Sequence, residues 1–239
     1  LNLIFEPSVK DVIKSHKSML TAVLQNIQEE LAPYQAKLIA VSKTYPKEVL
    51  LEAYECGQRD FGENRVQEIV DKAEALPKDI KWHFIGHLQT NKVKYIAPFV
   101  HLIHAVDSFK LLEEIDKRAG ANDRVIDVLL QFKIAEEDTK YGYEAAEIFS
   151  MLEEESWQDL KNVHVVGVMG MATYTDDEDQ VTREFRQLRT YFDRLKTSYF
   201  KDQTYFKEIS MGMSGDYPLA LTEGSTMVRI GSKIFGDRS

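Results

Sequence analysis

The amino-acid sequence predicts an α/β fold, a single-domain (β/α)₈ barrel of the TIM type with an extra helix at its amino end. Three observations predict it. About eight short runs rich in β-branched and aromatic residues alternate with helical stretches after Pro33, and strands alternating with helices form a parallel sheet, because each return to the same edge takes a right-handed crossover. The turn after the first strand reads "SKTYPKE" and has no glycine, whereas a doubly wound open sheet usually places a glycine-rich loop there. With 239 residues, 44% of them hydrophobic, the chain can bury one large core, and α/β barrels of this length commonly fold as one unit. Residues 1–239 are therefore read as one domain.

Each element has its own signature. Pro7 and Ser8 precede Val9, Val12, Ile13, Leu20, Val23, Leu24, Ile27 and Leu31, a three- and four-residue spacing that gives a helix one apolar face. Strands are expected in "KLIAVSK", "DFGEN", "WHFIG", "HLIHAV", "VIDVLLQFK", "VHVVGVMGM", "YFKEISMG" and "TMVRIGSKIF". Pro46 to Gly57 carries a proline at its first turn and a glycine just past its end, the usual punctuation of a helix. Further helices are expected from about Asn64 to Ala75, Ser108 to Gly120, Tyr141 to Glu155, Asp179 to Lys196 and Ser214 to Gly224. The eighth strand runs close to Ser239 and leaves no room for a full eighth helix, so the opening helix is expected to cover that gap. "TYTDDEDQ" is acidic but brief, and reads as a solvated loop entering a helix.

A formal charge of -9 and a pI near 5.3 argue against a general nucleic-acid binder, which needs a basic surface to displace counterions. The expected partner is a small molecule. Cys56 is the one cysteine, so the chain forms no internal disulfide and suits a reducing compartment. No charged-then-apolar leader opens the sequence, whose first residue is Leu1 rather than Met, and no apolar run nears the roughly 18 residues of a membrane span. The expectation is a cytoplasmic protein without membrane contact.

The chemistry begins at "LIAVSKTYP", residues 38–46. Side chains alternate along a strand, so Ile39, Val41 and Lys43 share one face and Leu38, Ala40 and Ser42 the other. At the carboxyl end of a barrel strand, an inward lysine stands in the mouth where barrel enzymes bind substrate. Alone, such a lysine has the ordinary reading of a loop residue that snorkels to solvent. In "TMVRIGS", Met227, Arg229 and Gly231 share a face of the last strand, and barrel closure makes that strand the neighbour of the first. Two cations facing one interior are costly unless an anion lies between them. "SMGMSGD" ends the seventh strand, and small residues opening a helix at Ser214 let backbone N–H groups approach an anion. The ordinary alternative is an N-capped loop. Together with Lys43 and Arg229, the set asks for a ligand with both a phosphate and an electrophilic carbonyl, and pyridoxal 5'-phosphate has both.

"VSKTYP", "FGENRVQE", "WHFIGHLQTNK" and "SMGMSGDYPLALTEGSTMVRIGSKIFG" resemble the signature segments of the pyridoxal phosphate homeostasis protein family, single-domain barrels related to the alanine racemase N-terminal domain. The similarity runs from about Leu38 to Gly236. The resemblance implies that Lys43 forms the internal aldimine and that Arg229 lies near the pyridine nitrogen. It also implies that Ser214, Gly231 and Ser232 cradle the phosphate, that Asn64 lines the cofactor, and that Lys140 in "DTKYG" lies near the mouth. The family is associated with binding, buffering and delivering the cofactor, with no firm catalytic activity. Tyr45 stands where a second lysine often does.

Two other readings stay open beside this one. A cofactor-dependent amino-acid enzyme such as a racemase needs acid and base groups on both faces of the substrate carbon; Lys43 could serve one, and Tyr45, Tyr141 or Tyr174 the other. A cofactor-free lyase using Lys43 as a Schiff base would leave Arg229 and "GMSGD" without a role unless its substrate is phosphorylated. No metal site is expected, because His83 and His87 on a strand do not converge and His101 and His104 lack a clear third ligand. No Gly-x-Ser-x-Gly or P-loop pattern occurs. His87 could line the mouth, while Met169, Met171, Met211 and Met213 read as core filling at the barrel top. The expectation is a pyridoxal 5'-phosphate reservoir or carrier with no catalytic residues, a monomer or weakly associating chain whose partners are the cofactor and apo forms of enzymes that use it.

Overall fold

The computed structural model describes residues 9–136, 142–154 and 156–236. Eight parallel strands close into a barrel in sequence order: β1 (Lys37–Val41), β2 (Asp60–Glu63), β3 (Lys81–Phe84), β4 (Leu102–Val106), β5 (Ile126–Gln131), β6 (Val163–Met169), β7 (Glu208–Met213) and β8 (Met227–Ile230). All eight coincide with the runs that the sequence marks as strands, six lying wholly within them and β3 and β7 each extending one residue beyond, to Lys81 and Met213. The helices are α1 (Val9–Leu31), α2 (Lys47–Glu55), α3 (Val66–Ala75), α4 (Val93–Ile96), α5 (Phe109–Gly120), α6 (Ala145–Glu153), α7 (Glu178–Ser198), α8 (Tyr217–Thr222) and α9 (Ser232–Phe235).

Strand alternation sorts the apolar side chains into two cores. Ile39, Leu102, Ala105, Leu129, Val166, Met169 and Met227 fill the barrel interior, while Leu38, Ala40, Val228 and Ile230 join the larger core beneath the helices. At roughly 1.5–3 kcal/mol for each large apolar side chain withdrawn from water, this two-sided burial fixes the strand register, since a one-residue slip would exchange the two sets. One crossing is especially close: a Cβ on Gly167 of β6 would lie 1.8 Å from the Glu208 carbonyl oxygen of β7, so only glycine fits there.

β1 pairs with β8, with Ile39 opposite Arg229 and Ala40 opposite Ile230. On the outside, α1 buries Leu20, Leu24, Ile27 and Leu31 and packs on β1, α2 and α9. It thereby covers the flank that the four-residue α9 leaves open, as the sequence reading expects.

Three expectations need correction. The last strand stops at Ile230, and "SKIF" is a helical turn rather than strand. The helix expected from Ser214 begins at Tyr217, because Ser214 to Asp216 form the turn that leads into it. The short α4 has no place in the sequence reading; its few residues follow a single turn of 3-10 helix at Thr90–Lys92 and show too little periodicity to register. Tyr141 and Glu155, the expected ends of α6, lie outside the described residues. Among the described residues no helix is long and apolar enough to cross a membrane.

Candidate functional site

A cavity of about 670 Å³ opens at the carboxyl end of the barrel, and Lys43, Asn64, Ser214, Arg229, Gly231 and Ser232 all line it. Register explains why residues so far apart in sequence meet. Because Ile39 stands opposite Arg229, Gly231 falls level with Val41, and a Cβ on it would lie 3.0 Å from the Val41 carbonyl oxygen. Lys43 is one step higher on the same face. Arg229 therefore belongs to the floor of the cavity and Lys43 to its wall.

The turn that carries Lys43 is strained and clamped. Thr44 has φ of 71°, a left-handed conformation that a β-branched residue adopts only under constraint. Its N–H donates to Glu68 Oε1 at 2.6 Å. The same carboxylate oxygen accepts from Lys72 Nζ at 2.7 Å, and Lys72 also donates to the Ser42 carbonyl at 2.8 Å and to Glu63 Oε1 at 2.7 Å. Ser42 Oγ donates to Glu63 Oε1 at 2.5 Å. Burial pushes the Glu63 carboxyl up, against the pull of Lys72 and Ser42. Residues on both sides of Lys43 are thus tied to one network from β2 and α3.

At the floor, Arg229 is 4% exposed. Its guanidinium donates to Ser210 Oγ at 2.5 Å and to the Gly170 carbonyl at 3.1 Å. Burial lowers its pKa to about 10, with Asp216 acting in the opposite sense, so it remains a cation at neutral pH. Asn64 adds a buried carbonyl oxygen, Oδ1, with no hydrogen-bond partner in the protein. A buried polar atom left this way is costly unless something else satisfies it.

The loops after β7 and β8 meet at Ser214, whose Oγ accepts from the Gly231 N–H at 3.2 Å. Nothing lies within 4 Å of the position a Cβ would take on Gly215, so that backbone faces open space. Asp216 accepts from the Met213 N–H at 2.5 Å and holds the turn. The expectation of a helix dipole at Ser214 is corrected with the helix start: the seat consists of small-residue backbone and the Ser214 and Ser232 hydroxyls.

Several neighbours were legible only in part. His87 lines the cavity and pairs with Asp107 at 2.9 Å. Met171 and Met213 line it too, while Met169 and Met211 are buried core. Tyr45 is drawn away, its hydroxyl donating to the Gly236 carbonyl at 2.5 Å and its ring lying 5.0 Å from Phe235. Lys140 lies outside the described residues. The statement that the histidines lack a third partner is corrected by Asp60, which β2 brings to His83 and His101 so that one ligand atom from each lies within 4.8 Å of the others. Sequence reasoning missed Glu63, Glu68, Lys72, Ser210 and the inward His83 and His104. Strand period offered a signal for the histidines and Ser210, since His104 alternates with core-facing Ile103 and Ser210 with core-facing Ile209 and Met211.

A closed parallel barrel with a lysine, a buried arginine and a small-residue turn around one mouth defines a class, and residues 16–239 match the family described as alanine racemase, N-terminal domain. The chain is 45% identical over 204 residues to the pyridoxal phosphate homeostasis protein of Aquifex aeolicus, covering 85% of this chain and 87% of that one. It also resembles the structure of PipY from Synechococcus elongatus, both without PLP (TM-score 0.84) and with PLP bound (TM-score 0.80). Identity is 36% in each case, over 91% of this chain and 100% of PipY. The chain belongs to the pyridoxal phosphate homeostasis protein family.

Proposed function

We propose that this chain binds pyridoxal 5'-phosphate in the barrel mouth and serves cofactor homeostasis as a reservoir or carrier. The observation that carries this reading is the convergence, in one cavity, of an amine on its wall, a buried cation at its floor and an open small-residue turn. When bound, the cofactor supplies an aldehyde and a pyridine ring that can accept electrons. Lys43 would hold it covalently through its ε-amino group, with one water released. Ser214, Ser232 and the backbone at Gly231 would receive the phosphate, Asn64 would line the ring, and Arg229 would present N–H donors to the ring nitrogen. The orphaned Asn64 Oδ1 and the room above Gly215 fit such a guest.

The same groups favour holding over converting. An arginine that stays cationic donates to the ring nitrogen and gives it no proton, which makes the ring a weaker electron sink. A racemase needs a second base opposite Lys43; of the three candidate tyrosines, Tyr141 lies outside the described residues, the Tyr45 hydroxyl is engaged by Gly236 and Tyr174 is 96% exposed at the rim. Recipients would be apo enzymes that use the cofactor, and the carrier would work as a monomer in the cytoplasm.

The test is incubation of the loaded protein with a panel of L- and D-amino acids. The carrier reading predicts no racemisation, transamination or decarboxylation at an enzyme's rate. Turnover of about 1 s⁻¹ or faster, abolished by Lys43→Ala, would overturn it in favour of an amino-acid enzyme.

A further inference from the structure

Five polar side chains cross the barrel interior in one hydrogen-bonded chain. Asp60 Oδ1, at the first residue of β2, lies 2.9 Å from His83 Nε2. His83 Nδ1 lies 2.9 Å from His104 Nε2, and His104 Nδ1 lies 2.9 Å from Ser210 Oγ, across the barrel on β7. Ser210 Oγ in turn accepts from Arg229 Nη1. His83, His104 and Ser210 are wholly buried, so water does not substitute for any of these partners. Asp60, with 15% of its side chain exposed, is the end that meets solvent.

One arrangement of protons satisfies every member. An ionised carboxylate only accepts, so His83 donates to Asp60 from Nε2 and accepts at Nδ1 from His104 Nε2. That leaves His104 Nδ1 to accept from Ser210 Oγ, while the same oxygen accepts from Arg229. A neutral imidazole that accepts at Nδ1 carries its proton on Nε2. Both rings are neutral: burial pushes each below the ordinary histidine range, outweighing the upward pull of Asp60 on His83, and neighbouring cations, Lys37 and Lys81 for His83 and Arg229 for His104, act with it. Burial raises the Asp60 carboxyl, but His83 and Lys37 outweigh it and keep the group ionised. In the opposite arrangement His104 Nδ1 would donate to Ser210. His83 Nδ1 would then donate to His104 Nε2, and the unprotonated His83 Nε2 would face the ionised Asp60 carboxylate lone pair to lone pair.

We propose that Asp60, His83, His104 and Ser210 are positioning residues forming a one-way relay, in which a carboxylate at the amino end of the barrel sets the tautomers of two histidines and thereby fixes Arg229 as a donor beneath the mouth. The inference rests on the cofactor reading only for the ligand Arg229 receives. It also gives both ring nitrogens of His83 a protein partner, and with Lys37 4.0 Å from Asp60, the Asp60, His83 and His101 cluster serves the relay rather than a metal cation.

The test combines ¹⁵N NMR of the histidine side chains with pyridoxal 5'-phosphate titration. In the unliganded protein at neutral pH, His83 and His104, assigned with single His→Asn variants, should both show the neutral Nε2–H tautomer. In Asp60→Asn the Nδ1–H form should appear at both rings together, and affinity for pyridoxal 5'-phosphate should fall about tenfold. Ser210→Ala, which removes the acceptor directly, should lose at least as much while its far-ultraviolet circular dichroism stays unchanged. An Nδ1–H or doubly protonated ring in the unsubstituted protein, tautomers unmoved by Asp60→Asn, or affinities within twofold of the parent would each overturn the relay. If the unsubstituted protein binds no pyridoxal 5'-phosphate, the cofactor reading fails by itself, and the tautomers still decide whether the relay exists.

Discussion

Lys72 is 6% exposed, and its ammonium reaches Glu63, Glu68 and the Ser42 carbonyl. Lys72→Met would leave the fully buried Glu63 with Ser42 as its remaining hydrogen-bond partner. Breaking a buried pair from one side typically costs about 3–5 kcal/mol, and urea unfolding should show a loss of that order. A loss below about 1 kcal/mol would mean that the clamp around Lys43 is incidental. At this scale Lys43 and Arg229 were legible because strand alternation needs only local sequence. Glu63 and Lys72 were not, because their meeting depends on how α3 returns over β2, which no local pattern encodes. The positive φ of Thr44 was equally hidden, since threonine gives no sign of a left-handed turn.

Among the elements, the eight strands announce themselves through β-branched runs, but the end of the last one does not. In "TMVRIGSKIF" the alternation continues past the strand, and Gly231, which carries no side chain, marks the change of structure without naming it. The consequence is functional, because the corrected boundary puts Gly231 and Ser232 at a turn facing the loop after β7. Gly231→Val should therefore weaken pyridoxal 5'-phosphate by about tenfold or more, the equivalent of one charge-assisted hydrogen bond, and leave unphosphorylated pyridoxal nearly unaffected. Parallel titrations of the two ligands would settle the point. Equal losses would contradict a phosphate seat at this turn. The histidine pairs were misread for a related reason: four-residue spacing was weighed as a route to convergence within one segment, whereas the barrel brings His83 and His104 together from adjacent strands.

Across the molecule, three histidines are held neutral inside the barrel or at its amino end. Burial pushes His101 down to about 4 and lowers His83 and His104 as well. An unfolded histidine binds its proton near pH 6.5, so below that pH the unfolded chain takes up protons that the fold refuses. These groups leave stability intact above about pH 6.5 and erode it as the pH falls toward about 4. Urea midpoints measured from about pH 7.5 down to about 5 should decline, and His101→Asn should flatten part of the decline. A midpoint unchanged over that range would show that these rings are not held neutral. The barrel architecture as a whole was legible from alternation, length and the glycine-free first turn.

The central claim is that Lys43 is the residue that holds pyridoxal 5'-phosphate. Borohydride reduction of the loaded protein followed by peptide mapping tests it most directly. The pyridoxyl group should be found on Lys43, and Lys43→Ala should remove both the label and the near-visible absorbance of the loaded protein. A label confined to Lys140 or Lys233, or one that persists unchanged in Lys43→Ala, would contradict the account.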